Sequence, residues 1–117
     1  MGMTQKLRRE AGERWPNLKI FFEGYLHEDW PVFDGTPENA VDRAIAETPI
    51  EQLKRVASDW WLWNSASGRV PDPRRQINEG LGVNVNFKTS ADARHFMNAV
   101  YDKLIVAIRT EEKGWKP

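Results

Sequence analysis

Apolar side chains recur every three to four residues along most of this chain, the spacing that places them on one face of an α-helix. The first such run covers residues 18–30, with Asn17 as a candidate N-cap, and it ends at Pro31 because proline cannot continue a helix. A second run follows the helix start Thr36-Pro37-Glu38. A third follows Thr48-Pro49-Ile50-Glu51, whose threonine and glutamate are spaced as a capping box. These runs predict three amphipathic helices.

The second half of the chain continues in the same way. Asp72-Pro73 begins a short helix that Gly80 and Gly82 end, and Thr89-Ser90 begins a long amphipathic helix. Between them, residues 83–87 alternate apolar and polar side chains, which could form a short strand, but no second run offers a pairing partner. We therefore expect an extended connection there. The pattern predicts an all-α, single-domain bundle of about five helices over residues 1–117, with residues 1–15 flexible or peripheral.

Composition narrows the class of protein. A chain of 117 residues is long enough for one packed domain, and 40% hydrophobic with 29% charged residues is typical of a globular protein. The absence of cysteine excludes disulfides and thiolate metal sites and is compatible with a reducing cytoplasm. No apolar run approaches the roughly 18 residues that span a bilayer, and the first residues lack the apolar stretch of a secretory signal. We therefore expect a cytoplasmic protein that does not act at a membrane.

The formal net charge of zero hides an asymmetry between two parts of the chain. From residue 20 to residue 60 there are nine acidic and three basic residues, a net charge of −6, and the rest of the chain carries +6. The basic residues elsewhere are scattered and interrupted by acids. Such a chain is a poor general binder of nucleic acid and a suitable partner for a basic protein.

Candidate catalytic chemistry is sparse. His27 lies in His27-Glu28-Asp29, where carboxylates could orient it as a general base or help it bind a metal. A zinc-protease motif would need a second histidine at position 31, which is proline. No serine lies in a nucleophile elbow, and Gly80-Leu81-Gly82 lacks the third glycine of a phosphate-binding loop. We expect no catalytic residue, no metal and no cofactor, with the histidines structural or on the surface.

Six tryptophans are an unusual number for this length. Trp60 and Trp63 share the apolar face of the third predicted helix, whereas Trp61 points about 100° away from Trp60. Either a second layer covers Trp61 or it forms part of an exposed patch, where tryptophan is a frequent binding hot spot.

One segment has a recognisable arrangement of aromatic and acidic residues. A leucine and an aromatic residue lead into an aromatic-rich helix end, followed by a turn acid and two helix starts: Leu18, Phe22, Tyr25, Leu26, His27, Asp29, Trp30, Asp34, Thr36 to Val41, Ile45 and Pro49-x-Glu51. From Leu18 to Ile50 the chain resembles the immunity proteins of contact-dependent growth inhibition (CDI) systems, the CdiI type.

The resemblance implies a protein made beside a large surface-delivered toxin, whose C-terminal domain it binds and neutralises in the cytoplasm of the producing cell. Toxin domains neutralised by this family are frequently nucleases. The resemblance therefore implies a protein partner, which is basic if the toxin is a nuclease, and no nucleic acid, membrane or small-molecule substrate. The charge asymmetry agrees independently, because an acidic surface can occupy a phosphate-binding cleft and steer association.

The acidic segment supplies the predicted binding residues. We expect the toxin-binding face to contain acids of the predicted helices and turns, with one tryptophan as an anchor: Glu28, Asp34, Glu38, Asp42, Glu47, Asp59 and Trp61. Tyr25, Asp29 and Trp30 are interpreted instead as a folding motif, with Trp30 in the core and Asp29 serving backbone amides near the turn. Two alternatives stay open from the sequence, a small enzyme using His27-Glu28-Asp29 and a generic acidic adaptor or regulator.

Overall fold

A computed structural model describes residues 2–117 and contains, within that range, six α-helices and no strand. The helices are α1 (Met3–Arg14), α2 (Pro16–Tyr25), α3 (Trp30–Phe33), α4 (Pro37–Glu47), α5 (Ile50–Ser65) and α6 (Ser90–Glu111). A 3₁₀ turn at Ser67–Arg69 and a π-helical turn at Gln76–Gly80 lie between α5 and α6. The predicted all-α class is confirmed, with five helices of substantial length.

Four helices enclose the core. α2 packs on α5, α5 on α6, α6 on α4, and α4 back on α2, so that their apolar faces meet in the middle. The largest fully buried side chains include Phe22, Leu26, Met97 and Leu104. Trp60 and Trp63 are also buried, as their shared face predicts, and the Trp60 indole donates to the carbonyl of Met97 at 3.0 Å.

The first helix lies outside this ring of four. α1 packs against α2 and the π-helical turn, where the backbone of Leu7 comes close to Gly80. Ala11 and Trp15 are buried at 1% and 2% exposure. Residues 3–14, which we expected to be flexible or peripheral, thus form a helix packed on the outside of the bundle.

Local capping signals determine two helix starts. The hydroxyl of Thr36 accepts a hydrogen bond from the amide of Asn39 at 3.1 Å, and that of Thr89 accepts from the amide of Asp92 at 3.0 Å. The predicted capping box at Thr48 is wrong. The Thr48 hydroxyl instead donates to the carbonyl of Ala44 at 2.6 Å, because the residue that could start α5 is used to end α4.

The start of α2 depends on a residue distant in sequence. α2 begins at Pro16, so Asn17 lies inside the first turn and is not the N-cap. Asp59 of α5 accepts hydrogen bonds from the amide of Asn17 at 2.7 Å and from that of Leu18 at 3.2 Å. This carboxylate therefore satisfies two of the amides that a helix start leaves without partners.

The end of α2 also differs from the prediction. The helix ends at Tyr25, five residues before the expected stop, and residues 26–29 form a loop. The carbonyl of Leu26 accepts from the amide of Asn84 at 2.7 Å, and the indole of Trp30 donates to the carbonyl of Asn84 at 2.7 Å. The helix ends early because this loop binds the extended segment 83–87, which forms the predicted connection and not a strand.

We predict that Asp59→Ala lowers the free energy of unfolding by about 2 kcal/mol, because two amides of α2 lose a charged hydrogen-bond acceptor. Asp59→Asn retains an acceptor and should cost less. Urea denaturation measures both, with Asp102→Ala on the exposed face of α6 as the control. Equal stability of Asp59→Ala and the control would contradict the capping role.

Candidate functional site

Most of the predicted binding residues lie on one surface, which we name the acidic face. It is formed by the end of α2, the loop 26–29, α3, the turn at residues 34–36, and α4. An open depression on it is lined by Glu23, Gly24, Tyr25, His27, Glu28, Asp29, Trp30, Phe33 and Arg43. Four of the residues that carry the family resemblance, Tyr25, His27, Asp29 and Trp30, therefore line this depression.

Arg43 of α4 is at the centre of a polar network beneath this surface. Its Nε and Nη2 atoms donate to the two carboxylate oxygens of Asp34 at 2.8 and 3.0 Å. Its Nη1 atom lies 3.7 Å from a carboxylate oxygen of Glu47, and its guanidinium carbon lies 5.0 Å from the ring centroid of Tyr25. The Tyr25 hydroxyl donates to Glu47 at 3.4 Å. One cation thus connects the end of α2, the turn and α4.

The network changes the acidity of its members. The two hydrogen bonds from Arg43 lower the pKa of Asp34, and those bonds in turn raise the pKa of Arg43. Partial burial, together with the nearby carboxylate of Glu47, raises the pKa of Tyr25. Asp34 is therefore a carboxylate at neutral pH, and the Tyr25 phenol keeps the proton that it donates to Glu47.

Five of the seven predicted binding residues have partners within the fold. Asp59 is buried against α2, and the Asp34 side chain is only 6% exposed beside Arg43. Asp42 pairs with Lys103 of α6 at 2.6 Å. Glu47 shares Arg43 and Tyr25, and its side chain is 53% exposed. The fifth, Trp61, packs against the ring of Tyr101.

Glu28 and Glu38 differ from these residues. The Glu28 side chain is 74% exposed and lies 3.5 Å from His27, and Glu38 is exposed in the first turn of α4. Within residues 2–117, neither forms an ion pair with a lysine or arginine. These two predicted residues therefore keep their charges available.

Asp29 contributes to the start of α3 through its backbone carbonyl and not through its carboxylate. Its carbonyl accepts from the amides of Val32 at 3.1 Å and Phe33 at 3.3 Å. Its side chain makes no capping hydrogen bond at the start of α3, so the carboxylate does not serve the turn amides as we expected. Asp29 therefore adds a further exposed acid to the depression.

Trp61 lies away from the depression, where α5 packs on α6. It is 52% exposed, and its ring centroid is 6.1 Å from that of Tyr101. Leu62 beside it is 57% exposed. Tyr101 thus covers Trp61 in part, and the structure does not bring Trp61 together with the residues that line the depression.

The sequence reasoning missed two exposed apolar residues, Val32 and Phe33. They are 82% and 74% exposed, the largest values for big hydrophobic side chains in the described part of the chain. Pro31 is the signal that could have found them, because proline favours the first turn of a helix as well as ending one. In the new turn after Asp29, the indole of Trp30 is directed toward Asn84, and the side chains of Val32 and Phe33 are left exposed.

The His27-Glu28-Asp29 cluster lies on the open surface of the loop 26–29. The His27 side chain is 60% exposed and sits at the edge of open depressions. No group of three metal-ligating His, Cys, Asp or Glu side chains occurs among residues 2–117. In the same range, no helix has the length and apolar character needed to cross a membrane.

We predict a pH-dependent contribution of Asp34 to stability. Because its native pKa is lowered, its contribution is complete above the unfolded-state pKa of about 3.9 and is lost as the pH falls through the native value. Asp34→Asn should be less stable than the wild type at pH 7, and the difference in urea midpoint should shrink from about pH 4 downward. Glu38→Gln is the control. A difference that stays constant down to pH 2 would contradict the assignment.

The searches of curated proteins and of solved structures gave no match. A family profile described as CdiI immunity protein matches residues 14–104, which include α2 to α5, the extended segment and most of α6. The match covers most of the chain and all the residues that line the depression of the acidic face. The chain therefore belongs to the CdiI immunity protein family.

Proposed function

We propose that this protein binds the C-terminal toxin domain of a cognate CDI effector in the cytoplasm of the producing cell and blocks its activity. Membership of the CdiI family indicates a toxin-neutralising immunity function. The proposal adds the location of the binding surface, the acidic face, and the class of toxin, a nuclease. The protein acts by binding alone and needs no cofactor.

The observation that carries the proposal is the set of acids that the fold leaves without a lysine or arginine partner. Glu28, Asp29 and Glu38 are exposed and pair with no lysine or arginine within residues 2–117. Unpaired like charges on one surface repel each other, so a basic partner gains free energy by approaching them. A nuclease must attract phosphates and is therefore basic around its cleft. An acidic surface there competes with the substrate directly.

The direct test uses the gene next to the one that encodes this chain. We expect that gene to encode a large effector whose C-terminal domain co-purifies with this protein and degrades nucleic acid in vitro. Adding this protein in equimolar amount should abolish the degradation, and producing it should rescue cells that express the domain. Failure of the two proteins to bind would refute the immunity role. Binding to a domain without nuclease activity would refute only the toxin class.

We predict that the double reversal Glu28→Lys with Glu38→Lys weakens toxin binding about tenfold or more at low salt, mainly through slower association. These two acids are chosen because their reversal breaks no ion pair with a lysine or arginine, whereas reversal of Asp42 or Glu47 would leave Lys103 or Arg43 without its partner.

The matched control is Asp102→Lys with Glu111→Lys, two exposed acids of α6 that give the same change in net charge. Stopped-flow association at several salt concentrations separates the two variants. The Glu28/Glu38 variant should show a weaker salt dependence than the wild type, and the control should differ little from it. Equal effects of the two variants would mean that only total charge matters and that the acidic face is not the interface.

A further inference from the structure

Val32 and Phe33 form an exposed apolar pair on the acidic face. Apolar side chains exposed to water one at a time are common on protein surfaces, and Ile20 and Val106 are examples in this chain. Val32 and Phe33 differ from these, because two adjacent apolar side chains at 82% and 74% exposure form one continuous apolar patch on a single helical turn. They contribute little to the core, so their side chains are available to a partner.

The turn that carries this pair is held in place on both sides. The indole of Trp30 is fixed by its hydrogen bond to Asn84, and the amides of Val32 and Phe33 bond to the carbonyl of Asp29. On the other side, Asp34 is held by Arg43 and its carbonyl accepts from the Asn39 side chain at 3.0 Å. An apolar residue presented on a fixed backbone loses less conformational entropy on binding than one on a mobile loop.

The charges around Phe33 indicate the kind of partner. Phe33 lines the same depression as Glu28 and Asp29, the two acids there that pair with no lysine or arginine in the described chain. Binding hot spots commonly consist of an aromatic side chain surrounded by polar groups that exclude water. The complementary surface is an apolar pocket bordered by lysine and arginine.

The other exposed apolar pair, Trp61 and Leu62, lies on α5 beside a depression that contains basic residues. Ser65, one turn further along α5, lines a depression together with Arg69 and Arg94. A basic partner would meet like charge there. Charge complementarity therefore favours Val32 and Phe33 over Trp61 as the anchor for a basic protein.

We propose that the Val32–Phe33 turn is the apolar anchor of the toxin complex: Phe33 enters an apolar pocket of the toxin domain, and basic residues around that pocket pair with Glu28 and Asp29. This inference rests on the proposed function. In this inference, two features of the acidic face contribute to binding in different ways. The acids accelerate association, and the anchor slows dissociation.

The test measures binding of the full-length protein to the C-terminal domain of the neighbouring effector by surface plasmon resonance. Phe33→Ala should weaken affinity about 30-fold or more, through faster dissociation and with an unchanged salt dependence. Phe33→Leu should keep most of the affinity because it retains an apolar side chain. Val106→Ala, at 67% exposure, is the matched control and should change affinity less than about threefold. Trp61→Ala tests the competing anchor predicted from the sequence, and it should weaken affinity less than Phe33→Ala does.

The outcomes separate this inference from the proposed function. If the wild type binds the toxin domain and Phe33→Ala binds equally well, the anchor is refuted and the immunity role stands. Loss of binding in Trp61→Ala alone would place the anchor where α5 meets α6 and refute the inference. If the wild type does not bind, both proposals fail.

Two further measurements exclude trivial causes. The thermal unfolding midpoint of Phe33→Ala should match that of the wild type, because the side chain is 74% exposed. Sedimentation of the wild type and of Phe33→Ala without toxin tests whether a second copy of this chain occupies the pair. A wild-type dimer that Phe33→Ala converts to a monomer, with toxin affinity unchanged, would assign the pair to self-association and overturn the inference.

Discussion

The carboxylate of Asp59 lies where α5 meets the first turn of α2. Asp59 is the one buried charged residue among residues 2–117. Buried charge is costly unless it is hydrogen-bonded, and here two backbone amides and the positive end of the helix dipole stabilise it. α2 brings Leu18 and Phe22 into the core and leads directly into the loop 26–29. This interaction between helices therefore fixes the start of α2 on α5, and with it the direction from which the chain enters the acidic face.

The fold also decides which acids remain available on that face. The segment from residue 20 to residue 60 carries a formal charge of −6, but much of its acidity is used internally. Asp34 and Glu47 share Arg43, and Asp42 pairs with Lys103. Such pairs contribute little to stability when they are exposed, yet each removes a charge that a partner could sense. What remains is a smaller and more localised set of acids than the charge count alone suggests.

The sequence predicted features that depend on near neighbours and missed those that depend on distant ones. Helical periodicity and the caps at Thr36 and Thr89 are local, and the structure has them where they were expected. The start of α2 requires Asp59, more than forty residues away, and its end requires Asn84. The predicted binding residues therefore included both exposed acids such as Glu28 and the buried Asp59. Sequence alone does not distinguish an acid on the surface from one that caps a helix distant in sequence.

The one-turn helix α3 shows how a folding motif and a binding surface can occupy the same few residues. Successive side chains on a helix diverge by about 100°, so a turn that directs Trp30 toward Asn84 directs Val32 to nearly the opposite side. Phe33, three residues after Trp30, lines the same depression as Trp30 and stays 74% exposed. Asp34 then fixes the turn through Arg43, which also holds Glu47 and packs on Tyr25. The geometry of the apolar pair and the charge of Glu47 are thus coupled through one guanidinium. A substitution at Arg43 would alter the shape and the electrostatics of the acidic face together, although Arg43 itself is more than half covered.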